Sequence, residues 1–260
     1  MAYGKKITYK KEDNIGIITL NQPKTFNLTG TAFYQELWEI QDEIERDAEL
    51  RAVVLKGEGK YFCAGIDVKE LKGRTLQHVM AKIEWQQRLY GRWQEFAVPV
   101  IAALHGVCFG SGLEMVLGCD IRIATEDCRF SLPEVRMGFA PDMGGTVRLT
   151  KLVGMGQAKR ILLGCEEIRG REAFQIGLVE IVTSQEELLP RAMGMAETIA
   201  ALPPVAVRFA KKGVNLAQES SMAAGLQFEQ AQYMMCLGTE DKKEASLAFL
   251  EKRAGVFKNR

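Results

Sequence analysis

Short apolar strands and amphipathic helical stretches alternate through the first two thirds of the chain. Ile7–Lys10 and Gly16–Leu20 are β-branched runs split by the polar Lys11–Asn14 turn, which predicts a hairpin. From Thr31 to Asp47, Phe33, Leu37, Ile40 and Ile44 recur at steps of three and four, placing one apolar stripe on a helix. Ala52–Lys56 predicts a short buried strand, followed by the loop Gly57-Glu58-Gly59-Lys60. The same logic returns further on. Val98–Leu104 predicts a strand ending in His105-Gly106, Gly110-Ser111-Gly112 opens a helix over Leu113–Cys119, and Ile121–Ala124 predicts the next strand. Strand-like pieces also fall at Cys128–Ser131 and Leu178–Val182, with a helical pattern at Gln157–Leu163 between them. This alternation argues for the α/β class, and spacing alone leaves open an ordinary doubly wound sheet and a β-superhelix.

From about Gln185 to Arg253 the pattern is helical throughout, interrupted at Pro203-Pro204 and Gly213. Its apolar positions exceed what a lone exposed helix carries, which predicts a helical cap packed on the core or on another subunit. No low-complexity linker divides the 260 residues.

Composition narrows the partners. Hydrophobic residues make up 47%, enough for a sizeable core, and Lys plus Arg (34) nearly balances Asp plus Glu (33). A net charge of +1 gives no global attraction to nucleic acid or an anionic membrane, so an anionic ligand must meet a local basic cluster. Six cysteines without a CxxC pair read as buried free thiols of a reducing compartment. The segment MAYGKKITYKKEDN has neither a secretory apolar stretch nor transit-peptide character, and no apolar run is long enough to span a bilayer. The expected location is cytoplasmic.

Several familiar chemistries are excluded. There is no phosphate-binding GxxxxGK[ST], and Gly154-Met155-Gly156 lacks the third glycine and preceding strand of a dinucleotide site. Ser111 stands in Gly-Ser-Gly rather than GxSxG. With only His78 and His105, a histidine triad or zinc site is not expected, and His105 reads as structural. A catalyst built from this chain must work with carboxylates and backbone amides, and no metal is expected.

Three segments stand out: Cys63-Ala64-Gly65-Ile66-Asp67-Val68-Lys69; His105 to Glu114 running into Cys119-Asp120-Ile121-Arg122; and Leu132-Pro133-Glu134 through Pro141-Asp142-Met143-Gly144-Gly145-Thr146. In the second, a small-residue turn opening a helix presents unpaired N–H groups that favour negative charge, either a transient oxyanion or a bound phosphate. Glu114, in the first turn, has the plainer reading of a carboxylate stabilising a helix N-terminus.

In that order, AGID, HGxxxGxGxE, CDxRIA and PExxxGxxPDxGG closely resemble the enoyl-CoA hydratase/isomerase (crotonase) family, over essentially the whole chain. The resemblance implies a superhelix of ββα turns over residues 1–194 and a C-terminal helical region, 195–260, that mediates trimers, often paired into hexamers. It implies an oxyanion hole from the N–H groups of Ile66 and Ser111, the latter a serine where glycine is frequent. Glu114 and Glu134 would hold and protonate around an attacking water, hydrating a 2-enoyl-CoA. Coenzyme A, part of the substrate rather than a separate cofactor, would run along Ala64, Ile66, Asp67, Val68 and Lys69. Lys24, Tyr233 and Lys252 are further contacts, Lys252 reaching a neighbouring subunit. Asp142 opens an alternative, a double-bond isomerase that pairs it with Glu134, and its plainer role is to cap a turn. A non-catalytic CoA- or RNA-binding relative is the third reading, against which the +1 charge argues. The acyl chain would meet Phe26, Leu28 and the stretch Gly73 to Trp93, including Trp85 and Trp93.

Overall fold

The computed structural model describes residues 6–72 and 74–260. Residues 1–5 of the N-terminal segment, and Gly73 at the start of the expected acyl-chain stretch, lie outside the described residues. The strands are β1 (Ile7–Glu12), β2 (Ile15–Leu20), β3 (Ala52–Gly57), β4 (Val100–Leu104), β5 (Val107–Phe109), β6 (Ile121–Thr125), β7 (Arg129–Ser131), β8 (Ile168–Arg169) and β9 (Ile181–Thr183). The α-helices are α1 (Thr31–Arg46), α2 (Leu76–Met80), α3 (Ile83–Glu95), α4 (Ser111–Val116), α5 (Gly145–Gly164), α6 (Gly170–Gln175), α7 (Gln185–Ala200), α8 (Pro204–Ala217), α9 (Met222–Leu237) and α10 (Glu240–Glu251).

One sheet has the order β1-β2-β3-β4-β6-β9, antiparallel in the β1–β2 hairpin and parallel thereafter. A smaller sheet has the order β5-β7-β8, with β7 parallel to β5 and antiparallel to β8. The chain leaves the large sheet after β4, adds β5 to the small one, turns through α4 and returns as β6. It goes out again for β7 and β8 before coming back as β9. That excursion makes a spiral of ββα turns and excludes a single doubly wound sheet.

Alternation along the strands builds two cores. Ile15, Ile17, Ala52, Val54, Ile101, Ala103 and Ile123 face α7, whose Leu188, Ala192 and Ala196 recur every four residues and bring its backbone close. The intervening Ile18, Leu20, Val53, Leu55, Val100, Ala102 and Leu104 face the other way, onto α1, α3, α4 and the small sheet. Each fully buried Leu, Ile or Phe contributes about 1.5–3 kcal/mol.

Several elements differ from the sequence expectation. The helix expected over Leu113–Cys119 begins at Ser111, and the strand near Leu178 is confined to Ile181–Thr183. The 194/195 division falls inside α7, which is continuous because its apolar face covers β3, β4 and β6. Gly213 does not interrupt a helix; it sits within α8, and the chain instead breaks at the Ser184, Ser221 and Thr239 N-caps and at Pro203.

α8 is tied to the core by an ion pair. Lys211 Nζ donates to Asp120 Oδ2 (2.7 Å) and to the Trp93 and Val98 carbonyls (2.6 and 3.0 Å), while Asp120 also accepts the Val100 N–H (2.7 Å). Arg122 bonds Glu180 and the carbonyls of Leu178 and Cys119. The CDxR motif is therefore a latch rather than chemistry. α9 has no fully buried residue and exposes Met222, Leu226, Tyr233, Met234 and Met235.

Candidate active site

Two backbone segments bring free N–H groups together. Phe26 and Asn27 both take left-handed conformations (φ 55°), and Asn27 Nδ2 donates to the carbonyls of Glu58 (3.0 Å) and Tyr61 (2.9 Å). This turn holds Ala64, whose N–H donates to the Phe26 carbonyl (3.0 Å). The Gly65 carbonyl then accepts the Thr29 N–H (2.9 Å), and the Asp67 N–H donates to the Thr29 carbonyl (2.9 Å). Because a peptide is planar and trans, anchoring the Gly65 carbonyl aims the Ile66 N–H the opposite way.

A matching peptide lies across from it. A parallel backbone β-bridge between Cys63 and Cys108, both free thiols, brings the two segments side by side, and Gly110 adopts φ 49°, ψ −125°, in the region that favours glycine. Its carbonyl accepts the Glu114 N–H (2.9 Å), which aims the Ser111 N–H away from the helix. A side chain at Gly110 would be strained by this conformation, and its Cβ would press on Glu134 Oε1 at 3.0 Å. Among the described residues, neither the Ile66 nor the Ser111 N–H has an intramolecular acceptor. The Gly65–Ile66 and Gly110–Ser111 peptides and the Glu134 carboxyl thus lie together.

The carboxyls are Glu114 and Glu134, 2% and 8% exposed. Glu114 Oε1 accepts N–H bonds from Met143 (2.8 Å) and Gly145 (2.9 Å). These bonds favour the ionised form, but burial outweighs them, and the charges of Asp142 and Glu134 add to it, so Glu114 is pushed up to about 8. Glu134 opens a short 3-10 turn, Glu134–Met137, and its Oε2 is buried without a hydrogen-bond partner. Burial, with the Asp142 charge, raises it to about 7. The plainer role of Glu114 as a helix N-terminal charge does not describe it: its carboxylate leaves α4 to hold the 143–145 turn.

Asp142 lies beside both, half-buried and itself raised by burial, with Arg74 opposing the shift. Its carbonyl accepts from Gln87 Nε2 (2.8 Å), fixing the peptide whose N–H meets Glu114. Arg148 donates to the Met143 carbonyl (3.0 Å) and to Gln94 Oε1 (3.1 Å), bracing the same turn. Arg74, Gln87 and Arg148 as parts of the site were not foreseen. None of the three belongs to a motif, and α3, which carries Gln87, meets the turn only in three dimensions.

The remaining candidates divide. Ala64 and Ile66 are half-buried on the loop, whereas Val68 and Lys69 are exposed. Asp67 Oδ1 accepts the Lys69 N–H (3.0 Å), capping the Val68–Glu70 turn. Lys24 is exposed on the Pro23–Thr25 turn. Tyr233 lies exposed on α9, and Lys252 is the left-handed cap of α10 (φ 54°); α10 packs on α9, and α9 on α8. Phe26 is half-exposed against Tyr61, and Trp85 packs beside Trp38. Trp93 is fully buried against Phe96 and Gly118, so it belongs to the core and not to an acyl pocket. His105 is structural as expected, hydrogen-bonded to the Gly59 carbonyl (2.9 Å). Among the described residues no group of three His, Cys, Asp or Glu is placed to hold a metal ion, and no helix is long and apolar enough to cross a membrane.

Comparison with known proteins matches this geometry to one group. The profile of the enoyl-CoA hydratase/isomerase family matches residues 10–260. The short-chain-enoyl-CoA hydratase of Clostridium acetobutylicum is 38% identical, with 98% of each chain covered. The crotonyl-CoA hydratase of Syntrophomonas wolfei is 33% identical, with 99% of each covered. The crystal structure of an enoyl-CoA hydratase from Bacillus anthracis superposes with a TM-score of 0.94 at 34% identity, over 98% of this chain and all of the other (100%). The chain belongs to the enoyl-CoA hydratase/isomerase family.

Proposed function

We propose that this protein is an enoyl-CoA hydratase, adding water across the double bond of a 2-enoyl-CoA. The observation that carries the reading is a pair of buried glutamates, raised to about 8 and about 7, beside two unpaired N–H groups. Attack of water at C3 moves electrons onto the thioester oxygen, and the enolate so formed is held by the Ile66 and Ser111 N–H groups. Each such donor lowers the barrier by about 2.7–4 kcal/mol. One glutamate takes the proton from water, while the other, protonated, delivers one to C2. The proton has then moved from one carboxyl to its partner, and exchange with solvent resets the pair. Two carboxyls raised toward neutrality can share one proton there, which two ordinary carboxylates cannot.

Coenzyme A would follow Ala64, Ile66, Asp67, Val68 and Lys69, with Lys24 near its phosphates. Tyr233 and Lys252 would serve a neighbouring subunit of a homotrimer or homohexamer, a reading supported by the uncovered apolar side chains of α9. The reaction needs no cofactor beyond the CoA of its substrate, and fatty-acid breakdown in the cytoplasm is the setting we propose.

The test is loss of the ultraviolet absorbance of a conjugated 2-enoyl-CoA on incubation with the protein. Wild type should consume it, and Glu134→Gln should be slower by about 10²–10⁴-fold. Unchanged hydration by a folded Glu134→Gln protein would overturn the mechanism. Asp142, close enough to raise both glutamates, supports the isomerase alternative. In that case a 3,5-dienoyl-CoA would give a new chromophore at unchanged mass, abolished by Asp142→Asn.

A further inference from the structure

The Ser111 side chain, beside the second of the two N–H groups, is not idle. Its Oγ lies 2.8 Å from the Tyr90 hydroxyl and 3.2 Å from that of Tyr34. Tyr34 in turn lies 3.2 Å from Thr29 Oγ1, which donates to the Gly65 carbonyl (3.4 Å). All four hydroxyl-bearing residues are buried, from 0% exposed at Tyr90 to 6% at Ser111. Burial also raises both tyrosines, so they stay neutral donors through the physiological range.

Each hydroxyl has one proton to give. Since the Gly65 carbonyl only accepts, one arrangement satisfies every link: Tyr90 donates to Ser111, Ser111 to Tyr34, Tyr34 to Thr29, and Thr29 to Gly65. The chain starts on α3, crosses α4 and α1, and ends on the peptide whose other face is the Ile66 N–H. It passes through the residue that carries the second N–H. One end therefore bears on the peptide of the Ile66 N–H, and an interior link is the residue that carries the other donor.

We propose that Ser111, Tyr34, Tyr90 and Thr29 form a relay of hydroxyls that sets the spacing and polarisation of the two oxyanion-hole N–H groups, acting as positioning residues. The inference rests on the hydratase reading, because it assumes that a thioester oxygen sits between those groups. A hydrogen bond onto the Gly65 carbonyl polarises that peptide and strengthens its N–H as a donor. The Ser111 hydroxyl, held on two sides, keeps the first residue of α4 from shifting. A small misplacement of such a donor is costly, because the hole must fit the transition state rather than the ground state.

The experiment reads the thioester carbonyl directly, by difference infrared spectroscopy of a bound 2-enoyl-CoA, alongside kcat and KM. Wild type should shift the carbonyl stretch to lower frequency. Ser111→Ala and Tyr90→Phe should each lose much of that shift and about 10-fold in kcat, with KM changed less than about 2-fold. The double variant should be no worse than Ser111→Ala alone, because both act through one bond. Tyr34→Phe, which breaks the relay at its centre, provides an independent test if either of the others fails to fold. A wild-type carbonyl shift in folded variants would overturn the proposal, as would additive losses in the double. If wild type shifts the carbonyl and adds no water, the hydratase reading fails and the relay stands. If wild type leaves the carbonyl unshifted, the relay is overturned, and water addition decides the hydratase reading separately.

Discussion

Replacing Glu114 by Gln separates what this carboxyl does for the reaction from what it costs the fold. Glutamine keeps an oxygen to accept the Met143 and Gly145 N–H bonds (2.8 and 2.9 Å), so the turn it holds stays in place. What disappears is a proton equilibrium. In the unfolded chain the carboxyl ionises near its ordinary value of 4.5, whereas in the fold it keeps its proton to about 8. Between those values the folded state binds more protons than the unfolded state, so wild-type stability falls as pH rises through this window. The gap from 4.5 to about 8, at about 1.4 kcal/mol per pH unit, amounts to about 5 kcal/mol, an upper figure because water penetration softens it. Denaturant unfolding of both proteins at about pH 5, 7 and 9, at one protein concentration, measures the difference. The variant should gain on wild type by about 2–5 kcal/mol from the lowest to the highest pH, while losing hydration activity. A difference constant across the three pH values would refute the placement of Glu114 as a buried, proton-holding acid.

Other consequences follow from the same geometry. The rate profile should be bell-shaped, falling below about pH 7 as both glutamates become protonated and above about pH 8 as both ionise. Lys211→Met leaves Asp120 buried without its cation and should cost about 3–5 kcal/mol, with much of the loss recovered by adding Asp120→Asn, as thermal unfolding would read. Gly110→Ala forces a side chain at φ 49° against Glu134 and should lower kcat sharply while acyl-CoA binding, measured by calorimetry, persists. Asp142→Asn should lower hydration less than Glu134→Gln does; an equal loss would place Asp142 in the reacting pair.

Much of the fold was legible because it rests on local periodicity. The α1 stripe of Phe33, Leu37, Ile40 and Ile44 and the β-branched run of β2 each follow from burying one face. The spiral was legible only through the motifs and the family they resemble, because β5 and β8 are three and two residues long and belong to a second sheet that no spacing announces. Glu114, Glu134 and the Gly65–Ile66 and Gly110–Ser111 peptides were found through their motifs. Their supports were not. Tyr34 and Tyr90 sit in helical patterns where an apolar neighbour would look the same, and only their hydroxyl contacts with Ser111 distinguish them. Trp93 was misread as pocket lining because sequence shows that an aromatic is present, not which face of α3 it occupies. Gln87 and Arg148 act on carbonyls, and backbone partners leave no trace in sequence.

The most direct measurement is the mass of the product formed from a short-chain 2-enoyl-CoA in isotopically labelled water. Addition of one labelled water, with loss of the conjugated thioester absorbance, is the predicted result. A product of unchanged mass, or a thioester returned untouched by the folded protein, would contradict it.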